Sequence, residues 1–138
     1  MYYFFYIPVG TELPVRKPAP AVIGLTTLNV LWFLLFTYCP PLAARMPAMA
    51  FDASHPLLVN SITACFIHAD WFHLFGNMVF LATLGPALED RVGSGRFLLL
   101  YLACGMIGMA VQAEAWHLGI LGAGEPLILG ASGAIAGI

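Results

Sequence analysis

The sequence predicts an all-α, polytopic bundle of membrane helices, with three complete transmembrane helices and the start of a fourth. Three observations carry that prediction. The 138 residues are 61% hydrophobic and 9% charged, whereas a soluble globular chain carries roughly 25% charged residues. Mean hydropathy is +0.90. The apolar residues gather into uncharged runs that approach the roughly 20 residues a helix needs to cross a bilayer. The net charge of −2 points neither to nucleic acid nor to a polybasic membrane patch, so the expected surroundings are the lipid bilayer. Cys39, Cys65 and Cys104 lack CxxC spacing and read as small hydrophobes rather than a redox or metal set.

Taken in order, residues 1–20 form a cytoplasmic lead, aromatic over 1–7 but without the basic start of a signal peptide. Residues 21–138 form one membrane domain, incomplete at its C-terminus. The first span covers about 21–39. The connection 40–70 is broken by Pro40, Pro41, Pro47 and Pro56, because proline removes a backbone donor and interrupts helices. Its stretch 57–67 is apolar yet too short to cross, which predicts a re-entrant or interfacial segment. The second span covers about 71–88, with Pro86 as a point of kinking. A charged connection follows over 89–96, with Gly93-Ser94-Gly95 as a tight turn. The third span covers 97–113, with Cys104 and Gly108 as packing positions and Gln112 bonding a neighbouring helix or loop. The stretch 116–126 reads as a glycine-rich loop with Trp116 as an interface anchor. The fourth segment starts near residue 127. Its twelve residues reach only about 18 Å, short of a hydrocarbon core of about 30 Å, so as written it cannot cross.

Charge sets the expected orientation. Arg16 and Lys17 precede the first span, Arg91 and Arg96 lie between the second and third, and only Arg45 falls on the other side. The excess of basic residues places the N-terminus in the cytoplasm. The second and fourth segments then both enter from outside. His73, Asn77 and Ser132 are expected at one depth.

Those polar groups are the candidate chemistry. His73 and Asn77 are four apart and share a helix face, while His68 lies in the lead-in. Polar groups at membrane depth turn toward the bundle interior or a wet cavity. Interhelical hydrogen bonding would account for one isolated histidine, but less readily for three polar groups at the depth of a glycine-framed serine. Metal binding is disfavoured, since His68 and His73 miss the i, i+4 spacing of a helical zinc pair and Asp70 sits poorly between them. Haem ligation lacks a second histidine pair. Ser132, within Gly130-Ala131-Ser132-Gly133 at a helix start, is the candidate nucleophile, with free backbone N–H groups nearby to favour an oxyanion. Gly133 and Gly137 also make a GxxxG pair suited to close helix packing. Glu89, Asp90 and Arg91 form a charge cluster at the opposite end of the second span, read as setting topology and bonding nearby backbone.

Three blocks together are specific. His68-Ala-Asp-Trp71-Phe-His73-Leu-Phe-Gly76-Asn77-Met78, then Gly85-Pro-Ala-Leu-Glu89-Asp-Arg91-Val-Gly93-Ser-Gly95, then Gly130-Ala-Ser132-Gly133, resemble the rhomboid intramembrane serine proteases in order and spacing. The resemblance runs from Ala21 to the end. It implies Ser132 as nucleophile, His73 and Asn77 as oxyanion-hole residues, His68 as a structural histidine, and Glu89 and Arg91 as a structural pair. It also implies cleavage of transmembrane segments of other proteins by a Ser–His dyad, with no metal or cofactor, in a multi-pass protein of a bacterial inner membrane. Two departures stand out. Asn60-Ser61 occupies the neighbourhood where the family often carries a Trp-Arg pair, and Ala136 stands where some members carry an aromatic.

In the family the general base is a histidine on the sixth helix, and no histidine follows Ser132 here. The 138-residue polypeptide by itself is therefore expected to be inactive. His117 is the spare histidine nearest Ser132 in the outer loop. One alternative is a rhomboid-like protein that binds membrane clients without cutting them. Another is a transporter or channel fragment, which would carry more ionisable residues inside its spans.

Overall fold

Pro20 opens the first helix, since its ring fixes φ near the helical value and its missing N–H is one that a first turn leaves unbonded anyway. That helix, α1, runs Pro20–Tyr38 in the computed structural model, which describes residues 18–120 and 126–138. The lead 1–17 and residues 121–125 of the expected glycine-rich loop lie outside the described residues. No side chain within α1 caps its start. The cap comes from another helix: Glu89 accepts the Ala21 N–H at Oε1 and the Val22 N–H at Oε2, each at 2.9 Å. The Ser94 hydroxyl adds a third bond to Oε1 at 2.6 Å. Arg91, two residues on and so on the other side of the helix, is exposed.

Glu89 belongs to α5, Trp71–Val92, and α6 follows at once as Ser94–His117. The expected eight-residue connection over 89–96 is thus a single residue. Gly93, at φ +83°, reverses the chain alone because glycine adopts positive φ without steric penalty. Glu89, Asp90 and Arg91 finish α5, whereas Ser94 and Gly95 begin α6. Pro86 lies inside α5, which continues past it. Gln112 is exposed rather than turned into the bundle. At 19, 22 and 24 residues, α1, α5 and α6 measure about 28, 33 and 36 Å. All three are long and apolar enough to cross a membrane.

The prolines of the long connection start helices as well as interrupt them. Pro40 and Pro41 open α2, Pro40–Ala43, and Pro47 falls in the first turn of α3, Met46–Met49. Next come strand β1, Phe51–Asp52, helix α4, Leu58–Thr63, and a 3-10 turn, Ala64–Phe66. Past α6, strand β2, Leu127–Ile128, pairs antiparallel with β1, Phe51 opposite Ile128 and Asp52 opposite Leu127. This two-stranded ladder is the one departure from an all-α architecture among the described residues. Helix α7, Ser132–Ala136, follows directly.

Burial departs from that of a soluble protein on the outer faces. Asn29, His68, Asn77 and Glu89 are buried, while Ile23, Leu99 and Ile107 are each more than 60% exposed on the outer faces. Those faces suit lipid, where exposed apolar side chains carry no penalty and polar ones do. Together with the three spanning helices, this describes an integral, multi-pass membrane protein. Leu81, Phe97 and Tyr101 fill the centre, where α1, α5 and α6 meet. Helix α7 lies against α6 through small residues: a Cβ on Gly108 would fall 2.9 Å from Gly133 Cα, and one on Gly137 would strike Cys104. The GxxxG pair and the Cys104/Gly108 positions therefore form one interface, in which missing side chains let backbones touch.

Candidate active site

Asp70 sets the register of the site. Its extended backbone ends the lead-in, and its carboxylate accepts the His73 N–H at 2.8 Å, as an N-cap should. Helix α5 therefore begins at Trp71, and His73 stands in its first turn. Asn77 follows one turn later, 8% exposed, with Nδ2 donating to the His73 carbonyl at 2.9 Å. An amide nitrogen carries two protons, so this bond orients the group and leaves one donor free.

Ser132 reaches the same place from the other side. Gly130, at φ +108°, turns the chain from β2 into α7, and its N–H donates to the Ala64 carbonyl at 2.9 Å. The Gly130 backbone lies close against the His73 imidazole, since any Cβ there would strike the ring. Ser132 opens α7 and is exposed into a cavity of about 530 Å³. His73, Gly76, Asn77, Phe80, Ser132 and Ala136 share its wall. Gly76 and Ala136 have little or no side chain to occupy it. A hydroxyl, an amide donor and an imidazole thus converge on one apolar hollow, the arrangement that acyl transfer uses for a nucleophile and its oxyanion donors. A groove of about 440 Å³ between α4 and α6 has no titratable group in its lining and offers no such chemistry.

The other sequence candidates lie apart. Glu89 and Arg91 are at the far end of α5. His117, at the end of α6, is exposed and meets Trp116 edge-on with ring centroids 5.1 Å apart. It does not line the cavity. Among the described residues no three His, Cys, Asp or Glu side chains gather as metal ligands.

His68 supports His73 from behind. It is 3% exposed, and the two rings meet edge-on with centroids 5.2 Å apart. Burial, reinforced by the neighbouring His73, pushes the His68 pKa down to about 4, while the Phe66 carbonyl nearby pulls weakly the other way without reaching hydrogen-bond geometry. The folded state therefore holds this ring neutral, whereas an unfolded histidine takes up its proton near pH 6.5. Its contribution is complete above that value and shrinks as pH falls toward 4, by up to about 1.4 kcal/mol per pH unit. Melting in detergent should drop between pH 7 and 4.5, and His68→Gln should flatten that slope. An unchanged slope in the variant would remove His68 as its source.

A family model for the rhomboid domain matches residues 57–138. The chain belongs to the rhomboid family. It is similar to Rhomboid-like protease 1 of Toxoplasma gondii, 29% identical over 105 residues that cover 69% of this chain and 36% of that protein. It also resembles the putative rhomboid protease YdcA of Bacillus subtilis, 39% identical over 56% of this chain and 36% of the relative. Rhomboid protease GluP of the same bacterium is 45% identical over 59% of this chain and 17% of the relative. The matched stretch is about a third or less of the length of these relatives. No solved structure matches significantly.

Three residues around this rhomboid site shape the segments that lead to it without lining the cavity. Asp70 had a readable signal, an acid three residues before His73 at a helix start. Asn60 and Thr63 did not. Asn60 Nδ2 donates to the carbonyls of Ala48 (3.2 Å) and Ala50 (3.0 Å), and Thr63 Oγ1 donates to that of Met49 (2.6 Å). The long connection is thus anchored by the amide of Asn60, in the neighbourhood where the family often carries a Trp-Arg pair, and by the hydroxyl of Thr63.

Proposed function

We propose that this chain carries the nucleophile and oxyanion donors of a rhomboid intramembrane serine protease that cleaves transmembrane segments of other membrane proteins. The single observation behind the proposal is the convergence of Ser132, His73 and Asn77 on one cavity. In the proposed reaction Ser132 Oγ bonds to the scissile carbonyl carbon. The carbonyl oxygen becomes an oxyanion facing the free Asn77 N–H and the His73 ring, and the amine leaves with the proton that Ser132 gave up. Removing one such donor typically costs about 10²–10³-fold in rate. Serine still needs a proton acceptor. Of His55, His68, His73 and His117, only His73 lines the cavity, and its proposed role is oxyanion donor, so the acceptor is proposed to lie in the part of the longer relatives that this chain does not match. The basic residues Arg16, Lys17, Arg91 and Arg96 support a cytoplasmic N-terminus.

The test uses the full-length protein in membranes with a fluorophosphonate probe and a transmembrane reporter. Labelling and cleavage are expected in wild type and absent in Ser132→Ala. A wild type that binds the reporter but is neither labelled nor able to cut would favour a non-catalytic client-binding member, and labelling that survives Ser132→Ala would remove the nucleophile assignment.

A further inference from the structure

We propose that Asn60 and Thr63 are positioning residues for Ser132, acting through the β1–β2 ladder; this rests on the protease reading above. Helix α4 and the turn after it grip the ladder at two points. Upstream, Asn60 and Thr63 take the carbonyls of Ala48, Met49 and Ala50, the residues leading into β1. Downstream, the Ala64 carbonyl takes the N–H of Gly130, two residues past β2. Between these grips, Phe51 and Asp52 pair with Ile128 and Leu127, and Ala53 N–H donates to the Pro126 carbonyl at 2.9 Å. A closed circuit results: α4 to β1, β1 to β2, β2 to Gly130, and back to the residue following Thr63.

Gly130 is where the circuit meets the chemistry. Its N–H is held by Ala64 on one side and its backbone abuts the His73 ring on the other. Ser132 follows two residues later. If the upstream grip lets go, β1 is free to shift along β2, and Gly130 with it, so Ser132 loses its register against His73 and Asn77. Two strands of two residues each are too short to hold register by themselves. A misplacement of about 1 Å can cost on the order of 10²-fold in rate.

Asn60→Asp keeps size but replaces the donor with a carboxylate facing two carbonyls. Thr63→Val keeps shape and removes the hydroxyl, and Thr63→Ser restores it. In the full-length protein, kcat and the fluorophosphonate labelling rate should fall about 10- to 100-fold in Asn60→Asp and about 10-fold in Thr63→Val, with KM changed less than about 3-fold. Thr63→Ser should recover most of the loss. Hydrogen exchange across residues 126–130 should rise in both defective variants. Rates within about 2-fold of wild type, or a raised KM at unchanged kcat, would overturn the proposal. Should Asn60→Asp not accumulate, Thr63→Val against Thr63→Ser decides alone. If wild type itself is not labelled, the protease reading fails, and the exchange measurement still decides the coupling: unchanged exchange at 126–130 would sink it.

Discussion

Replacing Gly130 by alanine is expected to lower the labelling rate of Ser132 by at least about 10²-fold, because two constraints meet at that residue. Its φ of +108° lies where a side chain is strained, at a cost of order 1–3 kcal/mol. The space a Cβ would need is filled by the His73 ring. Either the turn relaxes, carrying Ser132 away, or the imidazole moves out of the oxyanion position proposed for it. Both outcomes uncouple nucleophile from donor, so kcat should fall far more than binding. The cause can be isolated by stability, since residues in contact give non-additive effects. Gly130→Ala should lower the melting temperature in detergent, and His73→Ala should return part of that loss in the double variant. Additive losses would show that backbone strain alone is responsible, and labelling within about 3-fold of wild type would show that the close approach of Gly130 to His73 does not matter.

The relation between sequence and structure divides by range. The three spans were legible because each is a long uncharged run, and hydropathy needs no partner to be read. His73, Asn77 and Ser132 were legible as candidates because they are costly residues in apolar surroundings. Their arrival at one cavity follows from where each stands along its helix. The β1–β2 ladder was not legible. Two residues per strand carry no periodicity, and their partners lie more than seventy positions apart. Prolines misled for a similar reason. Pro40, Pro41 and Pro47 look like breakers in a list of residues, yet each sits in a first turn where no donor is missed. Ser94 and Gly95 share the turn chemistry of Gly93, yet Ser94 bonds Glu89 and both residues belong to α6.

That bond leads to the second large effect, at the end of the bundle away from Ser132. Glu89→Gln is expected to destabilise the protein by about 2–3 kcal/mol while leaving the active-site residues in place. The Glu89 side chain is 2% exposed, and both oxygens act only as acceptors, from Ala21 and Ser94 at Oε1 and from Val22 at Oε2. Glutamine has the same shape but must turn an NH₂ toward one of those donors, so a bond is lost and a donor faces a donor. It also removes the negative charge from the N-terminus of α1, where the helix dipole favours it. Ser94→Ala deletes one bond and leaves the carboxylate paired with backbone, which predicts a smaller loss of about 1 kcal/mol. Arg91→Ala, at an exposed position, should stay within about 0.5 kcal/mol. The order Glu89→Gln, then Ser94→Ala, then Arg91→Ala is readable from melting in detergent. Hydrogen exchange should rise at residues 20–25 in the first variant. If Arg91→Ala instead proved as damaging as Glu89→Gln, the stabilising contact would be an ion pair between those two side chains, and the cross-helix cap would not be what holds α1 against α5.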